Sequence, residues 1–180
     1  MGKSRKIIFL DRDGVLTPSK EINGIPTPVF NYGDKLDSQI QKKILNIKSS
    51  TGAIFFMVTN QPDIARGKRK FADLERENIQ VSNFYHLDGW EMCPHDRSDL
   101  CFCRKPKEGM AKKLMERFNI GEKNFSRFVI GDRKADVDFA SRINATGLFI
   151  DHGYEENKNI YIKNKKFDST LRALEYIDNF

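Results

Sequence analysis

The chain has 180 residues, of which 39% are hydrophobic and 31% charged, and this suits one globular domain over residues 1–180. No apolar run approaches the about 20 residues of a membrane span, and recurring apolar runs argue against long disorder. The net charge of +6 permits an anionic partner, such as a phosphorylated metabolite or a nucleic acid. Three cysteines cannot form a fully paired disulfide framework, so we expect a reducing, cytoplasmic setting.

Predicted strands and helices alternate along the chain. Residues 6–10 form an apolar run bounded by charge, which predicts a strand buried on both faces. A loop rich in Pro, Gly and Asn is predicted over 14–33. The later predicted elements are helix 36–49, strand 53–58, helix 71–84, strand 86–92, helix 110–118, strand 127–130, helix 135–144, a final core strand 147–150 and helix 169–177. The pattern gives the tail 153–180 no clear role.

This alternation predicts an α/β fold, with a mostly parallel central sheet, helices on both faces and no large cap domain. In such sheets the ligand binds at the carboxyl ends of the strands, near the switch in strand order. Polar, chemically capable side chains follow four of the predicted strands, which makes an active site at this edge the economical interpretation. They are Asp11 and Asp13; Thr59, Asn60 and Gln61; Cys93 and His95; and Asp132.

Two carboxylates, Asp11 and Asp13, lie two residues apart just past the first strand. Anions this close repel each other, and a divalent cation resolves the conflict. Mg²⁺ prefers oxygen ligands, and Asp132 after Gly131 supplies a third carboxylate from another strand end. An isolated Asp-x-Asp is more often a turn or a helix cap. The second strand-Gly-Asp pattern favours a magnesium site formed by Asp11, Asp13 and Asp132.

These residues suit the hydrolysis of a phosphate monoester. Asp11 is the candidate nucleophile, and an aspartyl-phosphate would be the intermediate. Asp13 is the candidate proton donor and later the base for water. Thr59 and the backbone N–H of Asn60 can donate to phosphoryl oxygens, and we expect Asn60 and Gln61 to contact substrate.

All three cysteines lie in a short loop with one histidine. Cys93, His95, Cys101 and Cys103 provide three thiolates and one imidazole, a complete tetrahedral set for zinc. A filled shell leaves no open position, so we interpret the loop 93–103 as a structural zinc site. A Cys93–Cys101 disulfide and three unrelated thiols are the alternatives. The other two histidines have no comparable cluster and receive no role.

Cations directly follow the last cysteine. Lys105 suits a phosphoryl oxygen as a point charge, and Arg104 can form a fork to a substrate group. Arg133 flanks Asp132 and is a further candidate for substrate contact.

Together these motifs resemble the haloacid-dehalogenase-like (HAD) phosphatases over about residues 5 to 152. The matching segments are 11–14, 58–61, Lys105, 131–133 and Asp136, and the loop 93–106 is similar to that of the zinc-containing heptose-bisphosphate and histidinol-phosphate phosphatases. The resemblance implies a Rossmann-like three-layer sandwich with Mg²⁺ and structural Zn²⁺. It implies Asp11 as nucleophile, Asp13 as proton donor, Thr59 and Lys105 as phosphoryl ligands, and Arg104 as substrate ligand.

The leading functional hypothesis is hydrolysis of the 7-phosphate of D-glycero-D-manno-heptose 1,7-bisphosphate by a monomer. Histidinol phosphate is the second candidate substrate, and the basic charge motivates a third, a nucleic-acid end phosphate. A zinc-stabilised nucleic-acid-binding module belongs to a different class, but the loop lacks the spacer of classical zinc fingers and no RNA-binding sheet motif occurs. A catalytically inactive scaffold is disfavoured by the intact set of acidic and basic residues. We therefore expect a small phosphorylated substrate, no membrane and no nucleic-acid partner.

Overall fold

The computed structural model describes residues 5–29, 35–121, 125–157 and 165–180, so the predicted features at 1–4, 30–34 and 158–164 lie outside the described residues. Within those ranges the chain forms eight strands and five helices. They are β1 (Arg5–Leu10), β2 (Ser19–Ile22), β3 (Ile25–Pro28), α1 (Ser38–Thr51), β4 (Ile54–Asn60), α2 (Phe71–Phe84), β5 (Gly89–Cys93), α3 (Gly109–Arg117), β6 (Phe125–Gly131), α4 (Lys134–Arg142), β7 (Thr146–Ile150), β8 (Lys165–Phe167) and α5 (Thr170–Asn179).

Six strands form one parallel sheet in the order β5-β4-β1-β6-β7-β8. β1 lies at the centre, with Phe9 opposite Phe56 of β4 on one side and Val129 of β6 on the other. The chain runs outward from β1 in one direction through β4 and β5, then returns to the other side for β6. The carboxyl end of β1 is therefore the switch point at which α/β sheets bind their ligands.

Helices cover both faces of the sheet, as the continuous apolar strands predicted. Ile8 and Leu10 of β1 pack in the core formed with α1 and α5, whereas Ile7 and Phe9 pack toward α3 and α4. All four side chains are fully buried. Because alternate residues of a strand point to opposite faces, this burial explains why β1 is apolar throughout. The predicted three-layer α/β architecture is confirmed.

The structure contains three strands that the sequence pattern did not predict, β2, β3 and β8. The predicted loop 14–33 contains an antiparallel hairpin of β2 and β3, with Asn23 and Gly24 at positive φ in its turn. Asn-Gly is a strong hairpin signal, but β2 is polar and largely exposed, so it lacks the apolar pattern of a strand. The strand at 147–150 is not the last one, because β8 pairs in parallel with β7.

The tail packs on the core. Ala173, Leu174 and Ile177 of α5 are fully buried, and Lys6 Nζ donates to the Ile177 carbonyl oxygen at 2.6 Å. Thr170 Oγ1 donates to a carbonyl in the loop after β1. The tail thus supports the strand that ends at the predicted active site. Among the described helices, none combines the length and apolar character that crossing a membrane requires.

Candidate active site

Three buried carboxylates meet at the carboxyl ends of β1 and β6. Asp11 follows β1, Asp132 follows β6 and Asp136 lies in the first turn of α4, and their carboxylate oxygens lie within 4.8 Å of one another. We call these three residues the acidic cluster. Gly131 permits this approach, because a Cβ built on it would lie 2.2 Å from the Asp136 Cβ. The sequence predicted Asp11 and Asp132 at one site, and the structure brings them together.

The Asp132 carboxylate lacks hydrogen-bond partners. Both of its carboxylate oxygens are buried and have no hydrogen-bond partner. Burial raises the pKa of Asp132 well above its usual range, and the charges of Asp11 and Asp136 raise it further. A buried carboxylate without a partner is unfavourable, and a divalent cation with a preference for oxygen would neutralise it. The acidic cluster therefore fits a magnesium ion.

Lys105 is a buried cation beside the acidic cluster. Its Nζ lies 2.8 Å from Asp11 Oδ1 and 2.6 Å from Asp136 Oδ1, and it donates to the Val58 carbonyl oxygen at 2.8 Å. Burial opposes its charge, yet the two carboxylates raise the pKa of Lys105 above its usual range. Burial also raises the pKa of Asp11 to about 7, with Lys105 acting in the opposite direction. One ammonium against three carboxylates leaves negative charge that attracts a further cation.

Asp13 is held apart from the acidic cluster. Its Oδ1 accepts from Arg12 Nε and Thr17 Oγ1, each at 3.1 Å. Its Oδ2 accepts from Gln61 Nε2 at 2.7 Å and from Arg12 Nη2 at 3.2 Å. The predicted contribution of Asp13 to the magnesium site stays a prediction, and Asp136 is the third member of the acidic cluster.

The polar residues at the carboxyl end of β4 and just after it contact one another and Lys105. Thr59 is buried, and its Oγ1 accepts from Gln61 Nε2 at 2.9 Å. The Asn60 side chain accepts from the Lys105 N–H at 2.9 Å and donates to the Lys105 carbonyl at 3.2 Å. Asn60 therefore fixes the backbone of the lysine, and Gln61 links Thr59 to Asp13. Substrate contact by Asn60 and Gln61 stays a prediction.

The four predicted zinc ligands converge at the end of β5 and in the loop that follows it, and we call residues 93–103 the cysteine loop. The Sγ atoms of Cys93, Cys101 and Cys103 and the Nδ1 of His95 lie within 4.8 Å of one another. The Cys93–Cys101 sulfur distance is 3.6 Å and all three cysteines are free, so the disulfide alternative is wrong. Burial raises the pKa of the Cys93 thiol. Three sulfurs and one imidazole nitrogen at this spacing fit a tetrahedral zinc ion.

Comparison with known proteins identifies the family. The HAD-hydrolase-like family matches residues 102–174. Over 150 residues the chain is 31% identical to a protein of Thermoplasma volcanium named a probable D-glycero-D-manno-heptose-1,7-bisphosphate 7-phosphatase, and the match covers 77% of this chain and 93% of that protein. The chain belongs to the HAD-like phosphatase family.

Two further relatives extend the comparison of this HAD-like phosphatase. It is 31% identical over 156 residues to the histidine biosynthesis bifunctional protein HisB of Buchnera aphidicola, and it spans 41% of that protein's length. The fold matches a crystal structure of the D,D-heptose 1,7-bisphosphate phosphatase from B. bronchiseptica with magnesium and phosphate. The TM-score is 0.70 at 20% identity, covering 96% of this chain and 97% of the other.

In this HAD-like phosphatase the cysteine loop is tied to the end of β4. The Gln61 N–H donates to the Cys93 carbonyl at 2.7 Å, and the Ala65 N–H donates to the Pro94 carbonyl at 3.2 Å. The position of the cysteine loop is therefore coupled to the segment that carries Thr59.

The two arginines predicted to contact substrate differ in their surroundings. Arg104 is half-buried, and its Nη1 donates to the His95 carbonyl at 3.0 Å, which fixes the guanidinium beside the cysteine loop. Arg133 precedes α4, and its N–H donates to Asp136 Oδ2 at 3.2 Å. Substrate contact by either arginine stays a prediction.

Sequence reasoning missed two residues that support the acidic cluster. His152, which received no role, places Nε2 2.7 Å from the Gly14 carbonyl oxygen, and Asn157 Nδ2 donates to the Asp132 carbonyl at 2.9 Å. His152 lies two residues beyond the end of β7, so its position just after a core strand is a signal that could have found it. No sequence signal marks Asn157, because its contact depends on how the tail folds back.

Proposed function

We propose that this HAD-like phosphatase hydrolyses a small phosphate monoester, with Asp11 as the nucleophile. The observation that carries the proposal is the pair of buried, partnerless oxygens of Asp132 beside Asp11. Asp11, Asp132 and Asp136 would hold magnesium, with Asp13 as a further predicted ligand. When bound, magnesium supplies positive charge that neutralises the phosphoryl oxygens.

The first half-reaction transfers the phosphoryl group to the enzyme. A carboxylate oxygen of Asp11 forms a bond to phosphorus while the bond from phosphorus to the ester oxygen breaks. Asp13 donates a proton to the departing oxygen, so the product leaves as an alcohol. The ammonium of Lys105, which lies beside Asp11, and the hydroxyl of Thr59 would offset the charge on the phosphoryl oxygens.

The second half-reaction releases inorganic phosphate. Asp13, now ionised, accepts a proton from a water molecule as the water oxygen attacks phosphorus. The bond between phosphorus and Asp11 breaks, and both carboxylates return to their starting state. The same Asp13 thus serves as acid and then as base.

Heptose 1,7-bisphosphate is the proposed substrate, cleaved at the 7-phosphate. The name of the Thermoplasma volcanium relative supports this assignment, since that protein is covered almost completely. A bisphosphate also gives Arg104 and Arg133 a second anion to bind. The match to HisB supports histidinol phosphate as the second candidate.

Zinc would be held by Cys93, His95, Cys101 and Cys103 as a structural ion. The three free thiols of this site favour a reducing compartment, and we therefore propose a cytoplasmic enzyme. A single domain over 1–180 and a monomeric state stay predictions.

Phosphate release tests the proposal. Purified protein with Mg²⁺ is offered heptose 1,7-bisphosphate, histidinol phosphate and a phosphorylated oligonucleotide. We expect turnover of the heptose ester, which is lost in Asp11→Asn and kept in Asp138→Asn, a matched change at a partly exposed side chain. Undiminished turnover by Asp11→Asn would falsify the role of Asp11, and a preference for histidinol phosphate would select the second candidate.

A further inference from the structure

Arg12 is a fully buried arginine in the middle of the Asp-Arg-Asp-Gly segment. Its exposed fraction is 0%, although arginine is among the residue types least often fully buried. A buried guanidinium is tolerated only when its charge and its donors are matched by partners. The mechanism above gives Arg12 no chemical step, so its burial needs another explanation.

The Arg12 guanidinium makes a bidentate contact with the Asp13 carboxylate through two nitrogens. Nε lies 3.1 Å from Oδ1 and Nη2 lies 3.2 Å from Oδ2, so each carboxylate oxygen receives one N–H from the same planar group. Such a fork fixes the orientation of a carboxylate as well as its position. Lysine has no second nitrogen with which to reproduce it.

Helix α2 holds the other side of the guanidinium. Arg12 Nη1 donates to Asn78 Oδ1 at 2.9 Å and lies 3.7 Å from Glu77 Oε2. Asn78 is itself fully buried, and its Nδ2 donates to Met92 Sδ at 3.4 Å. The Arg12 guanidinium can only donate hydrogen bonds, and the Met92 thioether can only accept them. The Asn78 side-chain amide therefore has only one orientation that satisfies both partners. The opposite side of Asp13 is held by Gln61 and Thr17.

We infer that Arg12, held by Asn78, is a positioning residue that aims the Asp13 carboxylate at the leaving-group oxygen. The inference rests on the proposed function, because it concerns proton transfer by Asp13. A protonated carboxyl group that rotates freely would transfer its proton less often along the productive direction. The hydrogen bonds from Arg12, Gln61 and Thr17 restrict that rotation.

A poorly aimed proton donor has a recognisable kinetic signature. An alkyl phosphate leaves as a poor alkoxide and needs the proton, whereas p-nitrophenyl phosphate leaves as a stable phenolate and does not. The value of kcat/KM reports steps up to phosphoryl transfer, so it separates this need from the later attack by water. A purely structural defect would lower kcat/KM for both esters together.

The experiment measures kcat/KM for heptose 1,7-bisphosphate, histidinol phosphate and p-nitrophenyl phosphate. Native protein is compared with Asn78→Leu, which removes the acceptor for Arg12, and with Asn78→Asp, which keeps it. Asn83→Leu makes the same exchange at an exposed position of α2 and is the matched control. Circular dichroism confirms that each variant is folded.

We expect Asn78→Leu to lower the ratio of alkyl to aryl kcat/KM by about tenfold or more, which is part of the roughly 10²–10⁴-fold that acid–base catalysis contributes. Asn78→Asp should keep a ratio of alkyl to aryl kcat/KM close to that of native protein, and Asn83→Leu should leave the ratio unchanged. An unchanged ratio in folded Asn78→Leu, or an equal loss on both kinds of ester, overturns the inference.

Arg12→Lys decides the question where Asn78→Leu does not fold, since it keeps the buried charge without the fork. If neither variant folds, the contacts of Arg12 and Asn78 have only a structural role, and this result would also overturn the inference. Native protein that hydrolyses none of these esters contradicts the proposed function itself, which distinguishes the two failures.

Discussion

Gly14 and Asp132 lie against each other where the loop after β1 meets the end of β6. Gly14 has a φ of +86°, and a Cβ built on it would lie 2.0 Å from Asp132 Oδ2. The residue therefore has two reasons to be glycine, the left-handed backbone and the space taken by a carboxylate of the acidic cluster.

Replacing Gly14 with alanine should show the effect of the left-handed backbone on stability and the effect of the contact with Asp132 on activity. We expect Gly14→Ala to lose about 1–2 kcal/mol of stability through its backbone, and phosphate release to fall by about a hundredfold as Asp132 is displaced. Gly52→Ala is the control, since Gly52 has a φ of +63° with nothing within 4 Å of its Cβ position. Gly52→Ala should lose a similar amount of stability and keep full turnover. Thermal unfolding and phosphate release measure both effects, and equal activity of the two variants would contradict the contact with Asp132.

Lys105 should be required for stability when magnesium is absent. Lys105→Met leaves Asp11 and Asp136 buried without their cation, and removing one partner of a buried pair typically costs about 3–5 kcal/mol. Lys113→Met removes an exposed lysine that pairs with Glu91 and should cost at most about 1 kcal/mol. Urea unfolding in chelator measures both, and similar midpoints for the two variants would show that the buried pairs contribute little.

Magnesium should stabilise the protein more at high pH than at low pH. Burial raises the folded-state pKa of Asp11 from 3.8 to about 7 in the metal-free protein. Its contribution to stability is therefore present below the unfolded pKa and declines as the pH rises toward about 7, by up to about 1.4 kcal/mol per pH unit. Magnesium binds the ionised form, so the rise in Tm on adding Mg²⁺ should be larger at about pH 8 than at about pH 5.5. An equal rise at both pH values, measured by thermal unfolding, would count against magnesium at Asp11.

Purified protein should contain about one zinc ion per chain. His95→Asn should lower the zinc content and the Tm, because the cysteine loop then lacks one ligand. His86→Asn is the control at an exposed histidine, and asparagine tolerates its φ of 52°. Elemental analysis of reduced protein gives the content, and a zinc-free native protein with an unchanged Tm would disprove the site.

The predictable part of the fold came from buried strands. Residues 6–10 and 53–58 are apolar because both faces of β1 and β4 are covered, and such runs are visible without a structure. The hairpin of β2 and β3 and the edge strand β8 were missed. The side chains of β2 and β8 are mostly polar and exposed, and β3 carries two prolines, which are uncommon in strands. Edge strands are defined by pairing with a neighbour, which a local pattern does not encode.

The candidate site was predictable in its composition but not in its contacts. Asp11 and Asp132 follow apolar strands, so their meeting could be inferred from the topology of parallel sheets. The burial of Arg12 could not, because a charged residue between two aspartates is usually solvated. Its partner Asn78 comes from α2, and such a pairing emerges only from tertiary packing.

The central place of β1 has a consequence for the maturing polypeptide. Asp11, the proposed nucleophile, follows β1, which β4 and β6 flank from opposite halves of the chain, so its counter-charges arrive only after distant segments have paired. A partly made or misfolded molecule therefore lacks the means to cleave esters, and turnover is a stringent reporter of completed folding.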